Sequence, residues 1–147
     1  MKIDVRILEH GKGLTLPSYA TTGSAGMDLR AAITENVVLR RFERQLIPTG
    51  ICMAIPEGYN IEIRPRSGLA FNHGISVLNT PGTVDCDFRG ELKVLLINFG
   101  EEDFVVERGM RIAQMVLQKV ECVEWNSVES LDETFRASGG YGSTGVK

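Results

Sequence analysis

Near the end of the sequence, Arg136-Ala137-Ser138-Gly139-Gly140-Tyr141-Gly142-Ser143-Thr144-Gly145 combine groups that could hold a nucleotide. Glycines leave backbone N–H groups free to converge on phosphate oxygens, Ser143 and Thr144 add hydroxyls, and Arg136 supplies a guanidinium fork. Tyr141 could stack on a base. No Lys precedes the Ser-Thr pair, so this is not a Walker A loop, and taken alone the segment also reads as a disordered end. A second segment, Arg64-Pro65-Arg66-Ser67-Gly68-Leu69-Ala70, offers a guanidinium, a hydroxyl and free N–H groups where a strand gives way to a helical turn. That is an anion site or a solvated arginine turn.

The third segment runs from Asn79 to Gly90. On extended backbone Asp85 and Asp87 point the same way, with Phe88 on the other face. A hairpin rim here could read a planar base with its main chain while a carboxylate holds a water; alternatively both acids fill turn positions. In Gly109–Val116, Gln114 interrupts an apolar run and needs a partner if it points inward. In Ser24–Ala31, Asp28 is an acid in a small, apolar stretch, where it could simply bond neighbouring backbone.

The elements that must position these groups are mostly strands. Ile3, Val5 and Ile7 alternate with polar residues, as do Ile61 and Ile63, which is the period of a half-buried strand. Further apolar, β-branched runs at Asn36–Leu39, Leu46–Ile55, Ile75–Leu78, Leu92–Ile97, Phe104–Val106, Ile112–Leu117 and Val120–Trp125 are bounded by turn residues. Many short strands predict an all-β sandwich or barrel. Sixteen glycines, about 11% of the chain against a usual ~7%, agree with many tight turns. Ser67–Asn72 and Glu129–Phe135 are each expected to hold a helical turn or two.

The 147 residues make one domain large enough to bury a core without a disulfide or metal. We expect that domain over residues 1–135, followed by a flexible, glycine-rich arm over 136–147, because the arm has almost no apolar surface to offset an ordering cost of roughly 1–2 kcal/mol per residue. With 16 Lys and Arg against 19 Asp and Glu the net charge is -3, which argues against nucleic acid or an acidic membrane as partner. Cys52, Cys86 and Cys122 are far apart and form no Cys-x-x-Cys pair, so a disulfide framework or a zinc site is not expected. The start alternates charged and apolar residues, unlike a signal peptide, and no run approaches a membrane span, so the expected location is cytoplasmic.

Taken together and in this order, Ala25–Leu29, Pro65–Leu69, Gly82–Gly90, Arg111–Gln114 and the Arg136–Gly145 tail resemble the five motifs of the trimeric deoxyuridine triphosphate nucleotidohydrolases, the dUTPases. The resemblance spans nearly the whole chain. It implies a distorted β jelly-roll of the β-clip type, a homotrimer with shared active sites, and hydrolysis of dUTP to dUMP and diphosphate with Mg2+ held chiefly by the triphosphate and water.

It further implies roles. Asp85 falls where the family keeps its water-activating carboxylate. Arg66, Ser67 and Gly68 fall at α/β-phosphate contacts and Gln114 at another. The uracil hairpin maps to Asn79, Gly82, Thr83, Val84 and Lys93, acting largely through backbone groups. Arg136, Gly142, Ser143 and Thr144 close on the γ-phosphate while Tyr141 covers the base, and Asp28 supports the site. Phe88 departs from the usual tyrosine under the deoxyribose; its ring should still leave a ribose 2′-hydroxyl buried and unpaired. Two rivals share the fold: a dCTP deaminase and a nucleotide-sensing or capsid-like module without the chemistry. The Gly82–Gly90 segment and the tail fit the hydrolase better than the deaminase, and intact Asp85, Arg66, Gln114 and Arg136 argue against the module.

Overall fold

The computed structural model describes residues 1–141 and Ser143. Its elements are β1 (Asp4–Ile7), β2 (Gly26–Arg30), β3 (Val37–Leu39), β4 (Arg44–Ala54), β5 (Tyr59–Arg64), the helix α1 (Ser67–His73), β6 (Ile75–Val77), β7 (Gly82–Val84), β8 (Glu91–Asn98), β9 (Phe104–Val106) and β10 (Arg111–Lys119), with a 3-10 turn at Glu9–Gly11. One sheet has the order β1-β4-β8-β6, a second β2-β10-β5-β7, and β3 pairs with β9 in a ribbon. All pairings are antiparallel. This is the all-β, jelly-roll-like architecture expected from the sequence.

The two larger sheets share one core because alternate residues of their strands face inward. Leu29, Ile61 and Met115 come from one sheet, Ile47, Val94 and Leu96 from the other, and each is essentially inaccessible. Burying a side chain of this size contributes about 1.5–3 kcal/mol, so this shared layer carries most of the fold's driving force. Asn98 and Thr49 are the polar exceptions, and Asn98 is the more deeply buried. Its amide donates to the carbonyls of Leu39 and Glu102, both at 2.8 Å, and accepts from Gly100 N–H at 2.8 Å, tying β8 to the β3–β9 ribbon.

β4 carries a bulge between Pro48 and Cys52. Proline has no N–H for the ladder and is tolerated at such a place. Two side-chain bonds replace what the ladder loses: Thr49 Oγ1 donates to Leu92 O (2.6 Å), and Gly50 N–H donates to Glu91 Oε1 (2.8 Å). Gly50 has φ +72° and lies so close to Gly11 that a Cβ there would stand 2.3 Å from Gly11 Cα. Only glycine fits that position.

Four local expectations are corrected. The alternation in β1 is real, but this strand lies at the edge of its sheet and Val5 and Ile7 remain exposed. Val120–Trp125 forms no strand: Val120 N–H still reaches Gly58 O (2.9 Å), but β10 already has neighbours on both sides and no free edge is left beside it. Glu129–Phe135 forms no helix, because its apolar side chains find no face to pack on; Leu131 and Phe135 are almost wholly exposed. Ser24–Ala31, given no element in the sequence reading, contains β2.

Candidate active site

The hairpin formed by β5 and β7 sets Thr83 opposite Glu62 and Gly82 opposite Ile63. Beyond Val84 the chain does not stay extended. Phe88 N–H closes on Asp85 O (3.2 Å), and the Arg89 guanidinium clamps the turn by donating to Cys86 O (2.6 Å) and Phe88 O (3.0 Å). The expected opposition of Asp85 and Phe88 is thus corrected: the turn brings both onto one cavity, whereas Asp87 is not in its lining.

That cavity holds about 530 Å3. Its floor is apolar, from Ile63, Val77, Leu92 and Leu95, and its rim carries Asn79, Thr83, Asp85 and Lys93, with Gly82 and Val84 completing the hairpin side. An apolar slot with a few polar groups at its edge suits a planar base and a sugar. The Phe88 ring folds over Gly90 so closely that a Cβ there would stand 2.5 Å from the ring's Cζ. Gly90 therefore lets the ring reach this position.

A second constellation lies on the sheet that contains β2, β10 and β5. Asp28 stands opposite Gln114, and Gln114 opposite Arg64. The Asp28 carboxylate accepts Arg66 Nε at 2.8 Å on one oxygen and Arg111 Nη1 at 3.2 Å on the other. Arg66 Nη1 also donates to Arg111 O (3.2 Å), and Gln114 Nε2 donates to Pro65 O (2.9 Å). The partner that Gln114 needs is the carbonyl just before Arg66. One carboxylate between two guanidiniums leaves net positive charge and fixes the fork of Arg66 before any anion arrives. Ser67 and Gly68 follow as the exposed first residues of α1.

These two groups do not share one cavity. No residue beyond Leu95 lines the hairpin pocket, and Arg66, Gln114 and Asp28 lie outside its lining. Of the tail, Arg136 Nε donates to its neighbour Gly139 O (2.9 Å), Tyr141 is fully exposed, and Ser143 N–H bonds Gly140 O (3.0 Å). Gly142 and Thr144 lie outside the described residues. Sequence reasoning passed over Arg111, although it opens the segment that held Gln114, and Glu91, which borders the cavity two residues before Lys93.

A dUTPase family profile matches residues 12–145. The chain belongs to the dUTPase family. This dUTPase is 56% identical over 145 residues to the deoxyuridine 5'-triphosphate nucleotidohydrolase of Rickettsia felis, covering 99% of this chain and 97% of that one. It is 59% identical over 141 residues to the enzyme of the same name from Brucella melitensis, covering 95% and 90%. Among solved structures, a mutant dUTPase of Staphylococcus bacteriophage 80alpha with dUpNHpp superposes at a TM-score of 0.88, with 25% identity and 99% of each chain covered. The dUTPase of S. aureus phage phi11, 22% identical with a TM-score of 0.79, shares the fold.

Proposed function

We propose that this dUTPase hydrolyses dUTP to dUMP and diphosphate by attack of water on the α-phosphorus, with Asp85 as the base. The observation that carries the reading is the shared turn: Asp85 stands at the mouth of the cavity that Phe88 and the hairpin delimit. A base seated in that cavity directs its 5′-phosphates toward the rim. The Asp85 carboxylate orients a water and takes its proton as the new O–Pα bond forms, while the bond from Pα to the bridging oxygen breaks and diphosphate leaves. The reaction removes dUTP from the pool that feeds DNA synthesis and supplies dUMP for thymidylate.

Uracil recognition is assigned to the hairpin main chain at Gly82, Thr83 and Val84, with Asn79 and Lys93 beside it. Cytosine sets an amine where uracil has a carbonyl, so donors face donors at a cost of about 1–3 kcal/mol each. The triphosphate is assigned to Arg66, Ser67, Gly68 and Gln114, with Arg66 preset by Asp28 and Arg111. Mg2+ fits as a passenger of the substrate, for among the described residues no cluster of three or more acidic, His or Cys side chains could hold a metal. When bound it neutralises charge on the phosphate oxygens.

A homotrimer with shared sites is part of the same proposal. Its support is the separation of the base cavity from the arginine constellation within one chain, and the uncovered side chains of Val123, Trp125, Leu131 and Phe135 after β10. An arm from residue 136 that crosses to a neighbour would bring Arg136, Tyr141, Gly142, Ser143 and Thr144 to the substrate. Among the described residues no helix is long and apolar enough to cross a membrane, and action on a free nucleotide pool fits the cytoplasm.

The test is diphosphate release from dUTP, dCTP, dTTP and UTP with Mg2+, comparing the native chain with Asp85→Asn. We expect release selective for dUTP that falls about 10²–10⁴-fold in the variant, the usual contribution of a general base. Binding of dUTP without release would point to a nucleotide-sensing module, and ammonia release from dCTP to a deaminase.

A further inference from the structure

The wall of the base cavity formed by β8 is also the wall of a second, shallower cleft, because Glu91 and Lys93 line both. The two residues stand two apart on a strand and so share one face, while Leu92 and Val94 between and after them turn into the core. Glu91 is partly buried, its side chain 13% exposed. Its Oε1 accepts Gly50 N–H (2.8 Å) and His10 Nε2 (2.6 Å), and its Oε2 faces Lys93 Nζ at 3.9 Å.

Each brace is itself held. Gly50 sits in the bulge of β4 with its Cα against Gly11, and Gly50 O accepts Leu8 N–H (2.8 Å). The turn carrying His10 is pinned by Arg108, whose guanidinium donates to His10 O (2.9 Å), Lys12 O (3.0 Å) and Ile33 O (3.1 Å). A carboxylate fixed at one oxygen by two donors cannot rotate freely, so its second oxygen presents negative charge at a set place. A lysine is flexible and loses rotamer entropy when it must find its own position. Glu91 removes much of that search.

We infer that Glu91 is a positioning residue of the nucleotide site: braced by Gly50 and His10, it holds the Lys93 ammonium at the cavity wall, where the ammonium donates to a carbonyl oxygen of the pyrimidine and opposes an amino group in that place. The inference deepens the dUTP reading above and rests on it. It adds a side-chain contribution to a pocket otherwise read by main chain, and it makes the 3-10 turn at Glu9–Gly11 a remote support of base selection. Glu35, which lines the second cleft but not the base cavity, has no part in it.

The experiment uses the full chain, steady-state rates with dUTP and dCTP, and thermal unfolding of every variant. Glu91→Gln keeps the shape and the acceptor for Gly50 but removes the charge. We expect KM for dUTP to rise about fivefold with kcat within about twofold, and the preference for dUTP over dCTP to fall by a similar factor. Lys93→Met should produce the same split, and the double variant should lose no more than Lys93→Met alone. Glu35→Gln should match the native chain.

Native KM in Glu91→Gln, losses that multiply in the double variant, or equal loss in kcat with a lowered unfolding temperature would each overturn the inference. His10→Gln, whose side chain lies outside the base cavity, covers the case in which Glu91→Gln does not fold. It should raise KM about two- to threefold with kcat kept, and an unchanged KM overturns the relay. If the native chain binds dUTP without turning it over, dissociation constants replace KM in the same comparison. If it does not bind dUTP at all, the functional reading itself fails and the inference falls with it.

Discussion

At the scale of single residues, Phe88 and Gly90 form a pair in which the absence of one side chain decides the place of the other. The ring lies on Gly90 and borders the cavity, so a 2′-hydroxyl brought against it is desolvated without a partner, at about 1–3 kcal/mol. We therefore expect UTP to be hydrolysed at least about tenfold more slowly than dUTP, a gap of ~1.4 kcal/mol. Gly90→Ala should push the ring aside and narrow that gap, which competing kcat/KM measurements on the two nucleotides would reveal. Rates for UTP and dUTP within tenfold of each other in the native chain would remove Phe88 as the discriminating floor. The Asp28 carboxylate illustrates the opposite device, a side chain that acts by holding others. A lone acid bonding nearby backbone was a fair sequence reading, but its two oxygens serve the guanidiniums of Arg66, just before α1, and Arg111, at the start of the neighbouring strand β10.

At the scale of elements, legibility followed the source of the order. Where order comes from burial within the chain, as at Ile61 and Ile63 in β5 or Leu92–Ile97 in β8, period-two alternation or a continuous apolar run located the strand. Where order comes from a pairing partner, sequence pattern misled: Val120–Trp125 has strand-like residues but no open edge, and Gly26–Arg30 is a strand because β10 pairs with it. The Asp85–Phe88 turn escaped because its geometry depends on the Arg89 clamp, a contact made three residues along. The Glu91 brace escaped for a stronger reason, since His10 is 81 residues away in sequence.

Two predictions belong to this scale. Gly50→Ala introduces a Cβ into backbone at positive φ and into contact with Gly11, and should destabilise the fold by about 3 kcal/mol, measurable by denaturant unfolding. Deleting everything after Phe135 removes no buried side chain among the described residues and should leave the unfolding midpoint unchanged while cutting turnover severely. Full activity in that truncation would dismiss the arm as a lid.

At the scale of the whole molecule, the proposed shared site makes one chain a part of the catalytic unit. Its hairpin cavity and its arginine constellation are apart, and residues 121–133 make no backbone hydrogen bond among the described residues. Light scattering is expected to give a mass about three times 16.2 kDa, and dilution into monomers should abolish hydrolysis. A fully active monomer would refute the shared site. The position of Trp125 would give the proposed assembly an optical signature. It is the sole tryptophan, it lies on the uncovered stretch after β10, and it is 89% exposed in the isolated chain. Intrinsic indole emission therefore reports on that one stretch and on nothing in the core. A wet indole emits to the red and a covered one to the blue, so the colour of the protein's own fluorescence follows whether the stretch has found a neighbour.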